Sequence, residues 1–132
     1  MNNAMNRIAA AMLCALLTLA GAVRAADVTL NGPLTLAADL IFATPTSHLQ
    51  GNGNTLSLNG YNIRVGENAT LYMIDVDING VNGMNIRCLD ATGTIVLHRV
   101  RYGLDGDYVF STGSMRVASD SEIRGPYTFS FT

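Results

Sequence analysis

Two carboxylates set two residues apart, Asp75 and Asp77, and two arginines with the same spacing, Arg99 and Arg101, form the densest charged pattern in the chain. On an extended strand, residues i and i+2 point to one face, so each pair acts as a unit. Asp75 to Arg99 and Asp77 to Arg101 are both 24 residues apart, as are Val76 and Val100. A chain that repeats at this interval lays the arginines beside the carboxylates. Asp75 and Asp77 are therefore the candidate catalytic residues, as part of a saccharide or metal subsite. The same stacking also reads as a structural ladder of cross-strand ion pairs, worth roughly 0.2–1 kcal/mol each. Neutralisation by arginine favours the ladder, because a Ca²⁺ site needs uncompensated oxygens.

Other reactive residues are more scattered. Cys88 is the only cysteine after position 14; with no His near it in sequence, it reads as a small apolar core residue. His48 and His98 are fifty residues apart, with no Cys or acid at ligand spacing, which argues against a zinc site. Asp105-Gly106-Asp107 has the composition of a tight turn; a calcium turn would need a repeated glycine-rich pattern that is absent. Gly51-Asn52-Gly53-Asn54 lacks the Lys-Ser/Thr of a phosphate loop, and there is no Gly-x-Ser-x-Gly. Tyr61, Tyr72, Tyr102, Tyr108 and Tyr127 would form a stacking surface for sugar rings if several faced outwards, with Tyr72 and Tyr108 placed instead at the rim or inside.

Short alternating runs must position these residues: Val28-Thr29-Leu30, Leu34-Thr35-Leu36, Leu56-Ser57-Leu58, Ile63-Arg64-Val65 and Ile74 to Ile78. Each is bounded by Gly, Asn or Asp, the pattern of an all-β chain. Asn-Gly occurs at 31–32, 59–60, 79–80 and 82–83. Asn-Gly between strands is a hairpin signal, and a small β-sandwich is the competing architecture. A repeat decides against it. Ile63-Arg64-Val65 has counterparts in Ile86-Arg87-Cys88 and Val109-Phe110-Ser111, 23 residues apart each time. The run from Leu71 to Gly80 is echoed from Ile95 to Gly103, then by Met115-Arg116-Val117 and Glu122 to Gly125. A helix-free period of this size is what one coil of a β-solenoid requires. The chain holds four to five such coils, looser before Leu58, where Pro45 and the Gly/Asn cluster intervene.

The opening segment differs. Arg7 precedes sixteen uncharged residues, Ile8–Val23, and then Val23-Arg24-Ala25-Ala26. A positive start, a short apolar core and small residues at the exit describe a secretory signal peptide over residues 1–25. Cleavage is expected after Ala25, with Ala22 as the alternative. The apolar run is short for a membrane span. Residues 26–132 then form one domain with six arginines, no lysine and ten acids, a net charge of −4. That balance excludes the basic patch that nucleic acid or an anionic membrane would require. No segment after the leader is apolar enough to span a bilayer.

Over residues 48–125 the repeated aliphatic-x-aliphatic runs closed by Asn/Asp-Gly resemble the right-handed parallel β-helix of the pectin-lyase-like superfamily. The same architecture forms the passenger repeats of autotransporter adhesins. The resemblance rests on periodicity. It implies either a polysaccharide-active enzyme, lyase-like with Ca²⁺ or glycosidase-like with Asp clusters, or a non-enzymatic structural or adhesive repeat. Asn-Thr-Asp, Asp-Asp, Gly-His-Gly and Arg-Ile-Lys, motifs of the hydrolases, are absent, and the lack of lysine removes several lyase arrangements. The expectation is an exported, non-enzymatic structural or adhesive β-helix that needs no cofactor, in the periplasm, at the outer cell surface or secreted. Its partner would be a polysaccharide or a cell-surface protein. Thr128 to Thr132 reads as one more strand without a polar cap, so the expectation is either an N-terminal fragment of a longer protein that lacks its C-terminal cap or self-association through that last rung.

Overall fold

The computed structural model describes residues 7–9 and 22–132. Every pairing between described strands is parallel, which an antiparallel sandwich is not. The chain winds as a three-sided parallel β-solenoid of about five turns. One side stacks β1 (Arg7–Ala9), β3 (Asp27–Thr29), β6 (Thr46–Gln50), the start of β9 (Thr70–Gly83), the start of β11 (Thr94–Phe110) and β12 (Ser114–Val117). A second side stacks β4 (Leu34–Thr35), β7 (Thr55–Ser57), later parts of β9 and β11, and β13 (Glu122–Arg124). The third stacks β2 (Ala22–Ala25), β5 (Asp39–Phe42), β8 (Ile63–Val65) and β10 (Ile86–Cys88). β14 (Phe129–Phe131) follows on the end of β11.

Parallel strands of this kind bury one residue in two. Leu71 lies beside Ile95 and Met73 beside Leu97, all four in the core. Leu34 stacks on Leu56 and Val65 on Cys88 in the same manner. One continuous apolar core results, from Val23 to Phe110. No coil could bury its apolar face alone, so each depends on its neighbours.

The Asn-Gly pairs make corners, not hairpins. Asn52-Gly53 and Asn59-Gly60 each take two successive positive φ values, 54° and 80°, then 54° and 83°, which Asn and Gly tolerate best. The Asn side chains also tie coils together: Asn52 donates to the Leu30 carbonyl at 3.1 Å and Asn59 to that of Leu36 at 3.2 Å. Before Leu58, Pro45 accepts a hydrogen bond from the Thr70 amide at 3.0 Å within one corner.

One register differs from expectation. Ile86-Arg87-Cys88 stacks on Ile63-Arg64-Val65 as the repeat requires. The third copy is offset by one residue: Tyr108 and Phe110 point into the core, while Val109 does not. A one-residue slip exchanges the two faces of a strand. The cause is size. The Tyr108 hydroxyl donates to the Ile86 carbonyl inside the core, so a phenol caps a group that a ladder amide would otherwise satisfy. β10 accordingly ends its stack.

Residues 1–6 and 10–21, most of the expected leader, lie outside the described residues. Ala25, the expected cleavage position, is the last residue of β2 and is buried, as is Val23. A cut after Ala25 would remove the whole strand, whereas a cut after Ala22 would leave Val23–Ala25 paired with Leu40–Phe42.

Candidate functional site

The acidic pair sits on the outside of a corner. Asp75 takes φ 50° and Arg99, its counterpart one coil on, takes φ 52°. Strand alternation is therefore broken between Ile74 and Val76. Asp77 stacks beside Arg101 as the 24-residue interval requires, and its carboxylate accepts a hydrogen bond from the Arg101 Nε. The expected pairing of Asp75 with Arg99 does not form, because both residues turn the corner. Arg101 instead spans both acids, with its Nη2 3.8 Å from Asp75 Oδ1. Arg99 makes no ion pair among the described residues. One guanidinium thus serves two carboxylates. Glu122, stacked beyond Arg101, pairs with Arg124 on its own strand. A shallow depression of about 230 Å³ runs past Arg99, Arg101, Asp120, Ser121 and Glu122. This is a charge ladder on a convex edge. Both carboxylates remain partly open to solvent.

A second column lies on the outer face of the side built from β3, β6, β9 and β11. His48 Nδ1 is 2.7 Å from Asp27 Oδ1. The His48 ring stacks on Tyr72 at 5.5 Å between centroids and 20° between planes, and Tyr72 stacks on His98 at 6.4 Å and 24°. His98 Nδ1 is 3.4 Å from the Ser119 hydroxyl. Asp27, His48 and Tyr72 are strict neighbours in register, while His98 sits opposite Ile74 and reaches Tyr72 diagonally. Beside the Asp27 end lies a groove of about 400 Å³ lined by Asp27, Thr29, His48 and Gln50. Stacking occupies the faces of the Tyr72 ring and the two Nδ1 atoms already have partners, so among the described residues the Tyr72 hydroxyl and the two imidazole Nε2 atoms are the hydrogen-bonding groups left for a ligand.

This column was legible in principle. Adding the 24-residue interval to His48 lands on Tyr72, and two coils separate His48 from His98. Read as linear distance, fifty residues hid that both histidines stack on Tyr72.

The tyrosines do not share a face. Tyr102 and Tyr108 are core residues, Tyr72 is half-buried within the column, and only Tyr61 and Tyr127 are exposed, at two different corners. Burial pushes the Tyr102 and Tyr108 hydroxyls well above the ordinary phenol range. Cys88 is buried, and desolvation holds its thiol up at about 11 against a small opposing effect from the Ser114 backbone. It is a packed thiol without the thiolate character that reactivity needs. Asp105 accepts a hydrogen bond from Asn82, and Asp107 accepts one from the Thr128 amide at 2.9 Å, so both carboxylates tie coils together. Among the described residues no three His, Cys, Asp or Glu side chains converge as metal ligands. No helix among them is long and apolar enough to cross a membrane.

No family model matches this chain, and no curated protein or solved structure matches it.

Proposed function

We propose that this chain is an exported, non-enzymatic β-helix with a structural or adhesive role at or beyond the cell surface, built on the pectin-lyase-like plan. Its ligand is a polysaccharide or a glycan-bearing surface protein, held along the Asp27–His48–Tyr72–His98 column. One observation carries this reading: a polar ring column crosses successive coils in register, while the candidate acids Asp75 and Asp77 are both engaged by Arg101. An extended hydroxyl-rich polymer suits such a stripe, because each coil presents a further hydrogen-bonding group at the 4.7–4.9 Å strand spacing of a sheet. A carboxylate pair already committed to an arginine is poorly placed to move protons or hold Ca²⁺.

The test is co-sedimentation of the protein with insoluble and immobilised polysaccharides. Retention of the native chain that falls at least tenfold on Tyr72→Ala and His48→Ala, and is unchanged by Asp75→Asn, is the expected result. Retention indifferent to both ring substitutions would sink the column as the site. The enzymatic alternative has its own assay, the absorbance of unsaturated uronates after incubation with pectic polymers and Ca²⁺. Activity abolished by Asp75→Asn or Asp77→Asn would replace the adhesive reading with a lyase.

A further inference from the structure

The rung formed by β12, β13 and β14 carries an apolar surface that the coils beneath it lack. Its inward residues continue the core columns: Met115 over Ile95, Val117 over Leu97, Ile123 over Tyr102, Phe129 over Tyr108 and Phe131 over Phe110. The five residues beneath are buried, whereas Val117, Ile123 and Phe131 are 62%, 44% and 63% exposed. These side chains line an apolar hollow of about 190 Å³ at the end of the solenoid. No described strand pairs with the outer edges of β12, β13 and β14, so free backbone donors and acceptors surround the hollow.

The order of these residues is symmetric about Ile123. Met115 and Phe131 stand eight positions to either side of it, Val117 and Phe129 six, and Glu122 and Arg124 one. The three strands follow β11 along its length, with β13 between the other two in the chain. A two-fold axis through Ile123, perpendicular to the solenoid axis, sets β13 antiparallel to its own copy and lays the β12 side over the partner's β14 side. Met115 then meets the partner's Phe131, and Val117 meets the partner's Phe129. Glu122 faces the partner's Arg124, and the symmetry repeats that pair. Among the described residues Glu122 and Arg124 form an ion pair only with each other, both half-exposed.

An isologous interface requires a patch complementary to itself. Apolar order and charge order both meet that condition about the same residue. We propose that two copies of this chain join end to end through this rung, with the two-fold axis at Ile123, into a closed dimer with one continuous core. A foreign strand covering the same hollow would need neither the symmetric spacing nor the reversed charges.

Size-exclusion chromatography with light scattering on the full chain, across a range of concentrations, reads the outcome, with far-UV circular dichroism confirming the fold of each variant. The expected result is a concentration-dependent dimer and nothing larger. Glu122→Arg and Arg124→Glu each set like charges opposite one another in two symmetric places, raising the dissociation midpoint roughly tenfold. The double reversal restores it. With Cys14 replaced by Ser, Ile123→Cys links two chains on mild oxidation, because directly opposed antiparallel residues lie ~4.5–5.5 Å apart at Cα, within disulfide reach. Ser130→Cys, set opposite the partner's Arg116, does not. A monomer at every concentration, an open series of oligomers, failure of the double reversal to restore the dimer, or an Ile123→Cys chain that stays unlinked would each overturn the proposal. Polysaccharide retention is read separately and does not depend on the dimer.

Discussion

The middle coils and the last rung are built from the same repeat, yet they differ in what covers them. Leu56 and Leu58 have a coil on either side and are fully buried. Val117 and Phe131 occupy equivalent inward positions with a coil on one side only, and more than half of each remains exposed. Inward orientation is therefore set by the strand, but burial is set by the neighbouring coil. In a solenoid the energy of a core residue belongs to a pair of rungs.

Substitution to alanine measures that difference most directly. Leu56→Ala and Tyr102→Ala empty sealed space and are expected to cost about 2–5 kcal/mol, following the known scale for buried large-to-small changes. Phe131→Ala, measured in dilute solution, removes a ring with water already on one side and is expected to cost under about 1.5 kcal/mol. Chemical denaturation of the three variants checks the contrast. Equal costs would show that the last rung is already covered at the concentration used.

Alkaline titration probes the same core without mutation. Cys88 ordinarily ionises near 9 and is held up at about 11, and the Tyr102 and Tyr108 hydroxyls are raised above their ordinary value of 10.0. All three bind their protons more tightly in the folded chain than in the unfolded one. Their contribution is complete below pH 9 and declines as pH rises, for Cys88 between pH 9 and 11 and for the phenols from pH 10 upward. Urea midpoints should be flat with respect to these groups below pH 9 and fall above it. Tyr108→Phe should flatten the upper part of that fall while lowering the neutral-pH midpoint, because the Ile86 carbonyl loses its donor.

The first rung offers a smaller version of the same comparison. Val23 and Ala25 are buried against the coil that follows. A chain beginning at Val23 keeps them, and one beginning at Ala26 loses them together with the ladder of β2. Burial of the valine side chain alone is worth about 1.5–3 kcal/mol, so the longer form should melt several degrees higher. Mass spectrometry of the protein isolated from its own cells would show which N-terminus exists, and one at Ala26 with undiminished stability would place β2 outside the functional fold.

What was legible in the sequence follows from the same physics. Apolar alternation and the 23- to 24-residue interval identified the strands, the parallel stacking and the burial of Cys88 over Val65, because core stacking repeats the same residue type at the same position. The register failed where that rule weakens. Tyr108 brings an aromatic ring whose hydroxyl donates to the Ile86 carbonyl, and the pattern slips by one. The outer face was harder still. The corner at Arg99 needs positive φ from a residue type that seldom adopts it, and Asp75, of a type that tolerates it, sits inside an alternating run, so no local signal marks either corner. The His48–Tyr72–His98 stack joins different residue types, which a search for repeated types passes over.

The smallest expected effects separate the two carboxylates at that corner. Asp77 is hydrogen-bonded directly by Arg101, whereas Asp75 lies 3.8 Å from the same guanidinium. Both are about a quarter to a third exposed, so water screens the interaction and each pair stays within the surface range of ~0–1 kcal/mol. Asp77→Asn removes the better-aligned partner and should lower stability by up to about 1 kcal/mol, with the loss shrinking in high salt as screening takes over. Asp75→Asn exchanges a corner aspartate for the residue type that accepts positive φ as readily, and Arg101 retains Asp77. Its expected effect is under about 0.5 kcal/mol, close to what denaturation can resolve. A larger loss on Asp75→Asn than on Asp77→Asn would mean that the corner carboxylate holds the turn itself, and that Arg101 is directed by Asp75 while the strand neighbour Asp77 follows.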